Sequence, residues 1–440
     1  MKTKLLWLIA GYIFSLSYGY TSAKQDGRAS NEQKKIAQEL SELQKKLRKN
    51  PSDARLRVRL GTLLLHEENF EQALAQFDSV LALQPNLPAA RFGRADAKFL
   101  SGQLGEGIKG YLEILDSSEA DQYSGVIAER VGAPHAIRPI TTTPGENMMA
   151  RVSADGRAIV FQSNRDGNWE IYRALPDGSQ PVRLTNDPAV DESPCFSPDG
   201  RWVAFARSPE KAAGAAREIY LMEALFGVDS ICLSRHPADD WSPIFSPQGD
   251  QLAFVSDRDD ARAVEFQERQ SDVFLFSLSD SSLSRFSQGF GAKAAPCFTP
   301  DGQSLIYVNN VNGVFEIFEQ NLNSAQSRSL LAKNMSNGEP SKGGPQISPN
   351  GKEIAYFEKR GGNLDLFLFN REKLATRRLT CEASVEAFPT FSADGNEIYF
   401  TSNRSGGYQI YAMNLRQPIA RAELVETLRR LLAQHQALAN

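Results

Sequence analysis

The chain has 440 residues, of which 41% are hydrophobic and 23% charged, and a formal net charge of −4. That length is enough for two or three domains with a large core. The acidic balance, with no basic run interleaved with aromatics, argues against nucleic acid as the main partner, because phosphate recognition needs a basic face.

Residues 1–23 begin with Lys2 and Lys4, continue with an apolar run from Leu5 to Leu16, and end in the small residues Thr21, Ser22 and Ala23. This is the pattern of a secretory signal peptide, and it predicts a periplasmic or secreted protein. The apolar run is shorter than the about 20 residues that a membrane-crossing helix requires. No later segment is long and apolar enough to span, so no transmembrane segment is expected after signal removal.

Residues 31–130 are rich in Ala, Leu, Glu, Gln and Lys. Ile36, Leu40, Leu43 and Leu47 recur at helical spacing and mark one apolar face. Gly61, Ala73, Phe77 and Pro85 follow at offsets of 0, 12, 16 and 24, and Ala95, Gly107 and Tyr111 repeat the first three 34 residues later. The period and residue set resemble the tetratricopeptide repeat. In such a unit the small residues sit where paired helices cross closely, and Phe77 fills the space between repeats. The second copy departs from the pattern, with Glu119 at the proline position. A helical surface of this kind suits an extended peptide or another domain.

From residue 134 a different phrase takes over. It reads SADG from Ser153, FSPDG from Phe196, FSPQG from Phe245, FTPDG from Phe298, ISPNG from Ile347 and FSADG from Phe391. The turn glycines Gly156, Gly200, Gly249, Gly302, Gly351 and Gly395 are 44, 49, 53, 49 and 44 residues apart. Self-similarity at this period predicts a propeller or an array. Each phrase reads as the turn between strands A and B: proline presets φ, aspartate bonds the following backbone, and glycine takes the left-handed position. An alternating strand B follows, then a strand C that opens on Glu170, Glu218, Asp272, Glu316, Asp365 or Gln409. These acids are expected to be structural and to tie the B–C loop.

The sixth unit lacks a strand D. Residues 136–141 stand upstream of the first phrase at the distance that separates Pro181–Thr185 from the second. They are therefore expected to supply the missing outer strand and close the ring, which leaves only short protected edges. The fold class is thus mostly β: a six-bladed β-propeller over 134–416, an N-terminal all-α tetratricopeptide-like domain, and a C-terminal amphipathic helix over 420–438. Leu424, Leu428, Leu431 and Leu432 share one side of that helix, which is expected to pack on the helical domain or the propeller flank. Cys195, Cys232, Cys297 and Cys381 lack plausible disulfide partners and are expected as four buried thiols.

FSPDG, the Glu-Ile-Tyr triplet, and SNRDG (Ser163 to Gly167), echoed by SNRSG (Ser402 to Gly406), closely resemble the TolB-type six-bladed propeller over about residues 134–416. Members of that family are periplasmic. They bind a peptidoglycan-associated lipoprotein and other envelope proteins through the propeller, so the resemblance implies an envelope protein or peptide as partner. This chain differs in carrying tetratricopeptide-like helices where TolB has an α/β domain. That combination is similar to envelope secretion-machinery components of Bacteroidetes-type bacteria.

The loops from strand D to the next strand A surround one mouth of the channel. They carry Glu146, Asp191 with Glu192, Asp239 with Asp240, Glu339, and Glu386, whereas the fourth has Lys293; Trp241 and Phe388 add aromatic surface. Converging carboxylates focus a negative potential, which favours a basic or amidated peptide end or a hard cation such as Ca²⁺, although no dense D-x-D-x-D-G loop is present. These nine residues are the predicted partner-binding set.

No G-x-S-x-G elbow occurs. The four histidines, His66, His135, His236 and His435, do not cluster in the blades. No catalytic residue, metal site or cofactor is therefore predicted. The expected function is a non-catalytic envelope scaffold, and its alternative is a propeller hydrolase or lyase acting on a polysaccharide or peptide in the channel.

Overall fold

The Ser-x-Asp-Gly phrase closes the same way in five of the six repeats. Ser153 Oγ donates to Asp155 Oδ1 (2.6 Å) and accepts from the Ala158 amide (3.0 Å), while Gly156 takes a left-handed φ of +70°. The hydroxyl–acceptor pair recurs in Ser197–Asp199, Thr299–Asp301, Ser348–Asn350 and Ser392–Asp394. In the third repeat, where Gln248 holds the turn position, Ser246 reaches Asp250 instead. A Cβ at this glycine would be strained whatever space surrounded it.

The computed structural model describes residues 29–209, 216–227, 230–260, 262, 270–287, 289, 291–311, 313–324, 326–331, 341–360 and 363–439. The signal-like segment 1–23 and Glu339 lie outside the described residues. Two compact units are present: His135–Gln417, and the helical residues up to Pro134 together with the segment from Pro418.

The first unit is a six-bladed β-propeller. Six antiparallel sheets of four strands each run A-B-C-D outward from the axis. The inner A strands are Asn147–Val152, Val190–Phe196, Asp240–Phe245, Lys293–Phe298, Lys342–Ile347 and Glu386–Phe391, for blades 1 to 6. Neighbouring A strands pack side by side around the ring, the sixth against the first. The sixth sheet takes its outer strand from upstream: His135–Pro139 pairs with Gln409–Pro418. The Ile140 amide extends that pairing to the Ile410 carbonyl (2.8 Å). Closure by the segment around 136–141 is thus observed. Aromatic pairs from strands B and C, such as Phe161–Tyr172 and Tyr356–Phe367, stack within the sheets.

Every A strand carries a bulge at the same place. Met149, Ser193, Ser242, Ala295, Gly344 and Phe388 all have φ between +47° and +56°. Ladder pairing breaks there in each sheet, for example between Met148 and Arg151 and between Ala387 and Thr390. Two residues of strand A then face one of strand B, which bends the strand. In blades 2 to 6 the second of the two is a proline (Pro194, Pro243, Pro296, Pro345 and Pro389), which has no N–H to lose from the ladder.

The helical unit contains α1 (Ala29–Lys49), α2 (Ala54–His66), α3 (Phe70–Leu83), α4 (Pro88–Leu100), α5 (Leu104–Leu115), α6 (Ala120–Val131) and α7 (Arg421–Ala439). Phe77 is fully buried in a cradle of glycines. A Cβ on Gly61 would come within 2.7 Å of its ring, and one on Gly93 within 2.3 Å. Gly107 is packed against Phe99 and Gly110 against Ala95, so α4 and α5 cross closely. Asp96, also buried, accepts from Tyr111 Oη (2.6 Å) and from Arg130 through two bonds of 2.7 and 2.8 Å. Helix α7 belongs to this unit, with Leu424 and Leu428 fully buried in the cluster around Ile108, Ile127 and Val131.

Candidate functional site

The mouth is organised by one position, six residues before the turn Ser or Thr of each phrase. It holds Asn147, Asp191, Asp240, Lys293, Lys342 and Glu386 in blades 1 to 6, all buried. Each occupies the same register, paired in turn with Ser163, Arg207, Ser256, Asn309, Glu358 and Ser402 of strand B. The fifth blade therefore presents Lys342 here, and the ring of acids expected from sequence becomes a mixed one.

Four of these residues are held by an arginine from the top of their own strand B. Arg165 donates to Asn147 Oδ1 (2.7 Å). Arg207 grips Asp191 with two bonds (2.7 and 2.8 Å), and Arg258 grips Asp240 likewise (3.0 and 2.8 Å). Arg404 reaches Glu386 with a single bond of 3.2 Å. The guanidiniums also lie over an aromatic ring of strand C, at 4.4 Å from the Tyr172 centroid, 5.0 Å from Tyr220, 5.0 Å from Phe274 and 5.1 Å from Tyr411. Bidentate, ring-stacked arginine is well suited to such partly desolvated ion pairs.

The first residue of strand C faces the next blade. Gln409 of blade 6 accepts from Asn147 of blade 1 (2.8 Å). Asp272 of blade 3 lies 3.3 Å from Lys293 of blade 4, and Glu316 of blade 4 accepts from Lys342 of blade 5 (2.6 Å). These residues also fasten the outer strand. Thr185 and Arg183 donate to Glu170 (2.5 and 2.7 Å), Ser287 to Asp272 (2.8 Å), Arg378 to Asp365 (2.6 Å) and Thr141 to Gln409 (2.8 Å). The expectation that they tie the B–C loop is corrected: they tie strand D and the following blade, because the donors within reach stand there.

The structure brings Asp191, Glu192, Asp239 and Trp241 together between blades 2 and 3. Arg217 donates to both oxygens of Asp239 (2.8 and 2.7 Å), lies 3.8 Å from Glu192 and stacks over Trp241 at 5.1 Å. Arg207 bridges Asp191 and Asp187. Within this group four carboxylates face two guanidiniums. Glu192, with 5% of its surface exposed, is pushed up by burial, as are Asp191 and Asp240. Glu146 stands apart in blade 1, half-buried and bonded to Asn164 (3.3 Å). Phe388 sits on the bulge of blade 6, edge-on to Phe357 at 5.8 Å.

Cys195, Cys297 and Cys381 are buried free thiols pushed up to about 12 by burial. Cys232 is half-buried rather than buried and donates to Glu218 (3.2 Å). Among the described residues no group of three or more His, Cys, Asp or Glu side chains could hold a metal, and no helix is long and apolar enough to cross a membrane.

Residues 185–341 and 332–427, more than half of the chain, match the family described as the TolB beta propeller domain. A TolB homolog of Chlorobium luteolum is 29% identical over 182 residues, covering 41% of this chain and 38% of the relative. A Tol-Pal system protein TolB of Francisella tularensis is 37% identical over 70 residues, 16% of each chain. The crystal structure of TolB from Acinetobacter baumannii aligns with a TM-score of 0.45 at 18% identity, over 68% of this chain and 71% of that one. The chain spans between 14% and 38% of the length of the first curated relatives it matches.

Proposed function

The chain belongs to the TolB beta propeller domain family, and from that premise we propose that it is a non-catalytic cell-envelope scaffold binding protein partners at the propeller mouth. A second partner would be held on the tetratricopeptide-like surface of the helical unit. Relatives named for the Tol-Pal system support an envelope setting, and the signal-like segment supports a periplasmic or secreted location. The partner class is an envelope protein, such as a peptidoglycan-associated lipoprotein or a secretion-machinery component.

The observation that carries this reading is the sector between blades 2 and 3. Trp241 presents an aromatic face at the mouth, backed by the buried Glu192 and by two arginines already engaged by Asp191 and Asp239. The surplus of carboxylate favours a basic segment of the partner. The arginine pairs hold the sector rigid, so little ordering cost falls on binding.

The test is crosslinking in cells followed by envelope pull-down. Glu192→Gln with Trp241→Ala should lose the partner that the parent chain recovers, at a temperature where calorimetry shows both chains folded. Undiminished recovery would place the contact elsewhere.

A further inference from the structure

The junction between blades 5 and 6 departs from the two lysine-bridged junctions before it. At that position Asp365 of blade 5 and Glu386 of blade 6 are both fully buried, and their strands meet through the parallel bridge of Leu364 to Val385. Where blades 3–4 and 4–5 place a lysine against the strand-C acid, here a second carboxylate stands. Arg378 serves Asp365 and Arg404 serves Glu386.

Glu386 is held less completely than its equivalents. Asp191 and Asp240 each receive two bonds from their arginine, whereas Arg404, Ser402 and Ser384 all donate to the one oxygen Oε1 of Glu386. Among the described residues its buried Oε2 has no hydrogen-bond partner. An enclosed carboxylate oxygen with nothing to accept from is costly, and protonation converts it into a donor. The groups that face Glu386 are Arg404 and Ser402 from its own blade, Ser384 from the connecting loop, and Asp365 from blade 5.

We propose that this junction is a proton-binding site in which Glu386, beside the second acid Asp365, holds a proton, and that releasing it loosens the seam between blades 5 and 6 while the lysine-bridged seams stay shut. Burial, reinforced by Asp365 and opposed by Arg404, pushes the Glu386 carboxyl up to about 7, so the proton exchanges near neutrality. Val385, beside Glu386, forms a parallel bridge to Leu364, beside Asp365, so the two strands meet at this point.

The test is amide hydrogen exchange on the full chain at pH 5.5 and pH 8, corrected for intrinsic rates. Peptides covering 363–367 and 385–391 should lose about tenfold more protection at pH 8 than peptides covering 314–318 and 342–347. Glu386→Gln should abolish the excess. Equal loss in both sets in the parent chain overturns the proposal, as does a Glu386→Gln variant that keeps the excess. If that variant does not fold, Asp365→Asn and the parent comparison decide the matter on the same criterion.

Discussion

The junctions of blades 4–5 and 5–6 are built on the same two positions, yet one is closed by opposite charges and the other by like ones. Lys342 donates to Glu316 across the first of them at 2.6 Å. Glu386 and Asp365 stand at the second as two acids, each leaning on its own arginine. The difference teaches that the propeller fixes where a polar group must stand but leaves its sign open, provided that a counter-charge can be found within the blade or across the seam. Buried ion pairs add little net stability, whereas breaking one is expensive. The two junctions should therefore respond oppositely to neutralisation.

The largest expected effect comes from removing the strand that closes the ring. Deleting Ile137–Thr141 strips the outer strand from blade 6 and its pairing with Gln409–Pro418. Lost strand bonds and exposed apolar area should amount to several kcal/mol, which lowers the melting temperature by about 10 °C or more. Calorimetry reads this directly, and an unchanged melt would show that the ring closes some other way.

Next is Lys342→Met, which leaves Glu316 buried beside a neutral side chain. It should cost about 3–5 kcal/mol in chemical denaturation at pH 7. A loss below about 1 kcal/mol would break the contrast between the junctions.

Glu386→Gln should go the other way. A carboxyl raised from its ordinary 4.5 to about 7 contributes stability that is fully present below about pH 4.5 and is lost as the pH rises through about 7. At pH 8 the glutamine variant should therefore be more stable than the parent, by up to something on the order of 3 kcal/mol. At pH 5 the two should nearly coincide. Denaturant titrations at both values check the sign.

The smallest effect is expected at Arg138, whose bonds to Glu397 (2.9 and 3.0 Å) join the borrowed strand to strand B but lie near solvent. Arg138→Ala should cost no more than about 1 kcal/mol and should matter less as salt is added.

Much of this architecture could be read from the sequence, because each blade repeats its local chemistry. Ser153 and Asp155 close their turn through bonds two and five residues away, so the phrase alone specifies the geometry. The missing sixth outer strand was equally visible as a gap at one end and a surplus at the other. The mouth was harder to read. Glu339 is an acid ahead of the fifth phrase, whereas Lys342 stands at the fixed offset of six from Ser348. Counting back from the turn hydroxyl would have found it. Arg207, Arg258 and Arg404 were visible as residues, but their pairing with Asp191, Asp240 and Glu386 depends on the antiparallel register of strands A and B. The left-handed bulge carries no signal beyond its proline, since Met149 and Phe388 occupy it as readily as Gly344.

The most direct measurement of the central claim is site-specific photocrosslinking in cells, with the reactive residue placed at Trp241 or at Ser281. Ser281 is exposed on a C–D turn, which the strand order puts at the opposite end of the sheet from the mouth. A binding mouth predicts one discrete adduct from position 241 that disappears with Glu192→Gln, and none from position 281. The same adducts from both positions, or none from 241, would contradict it.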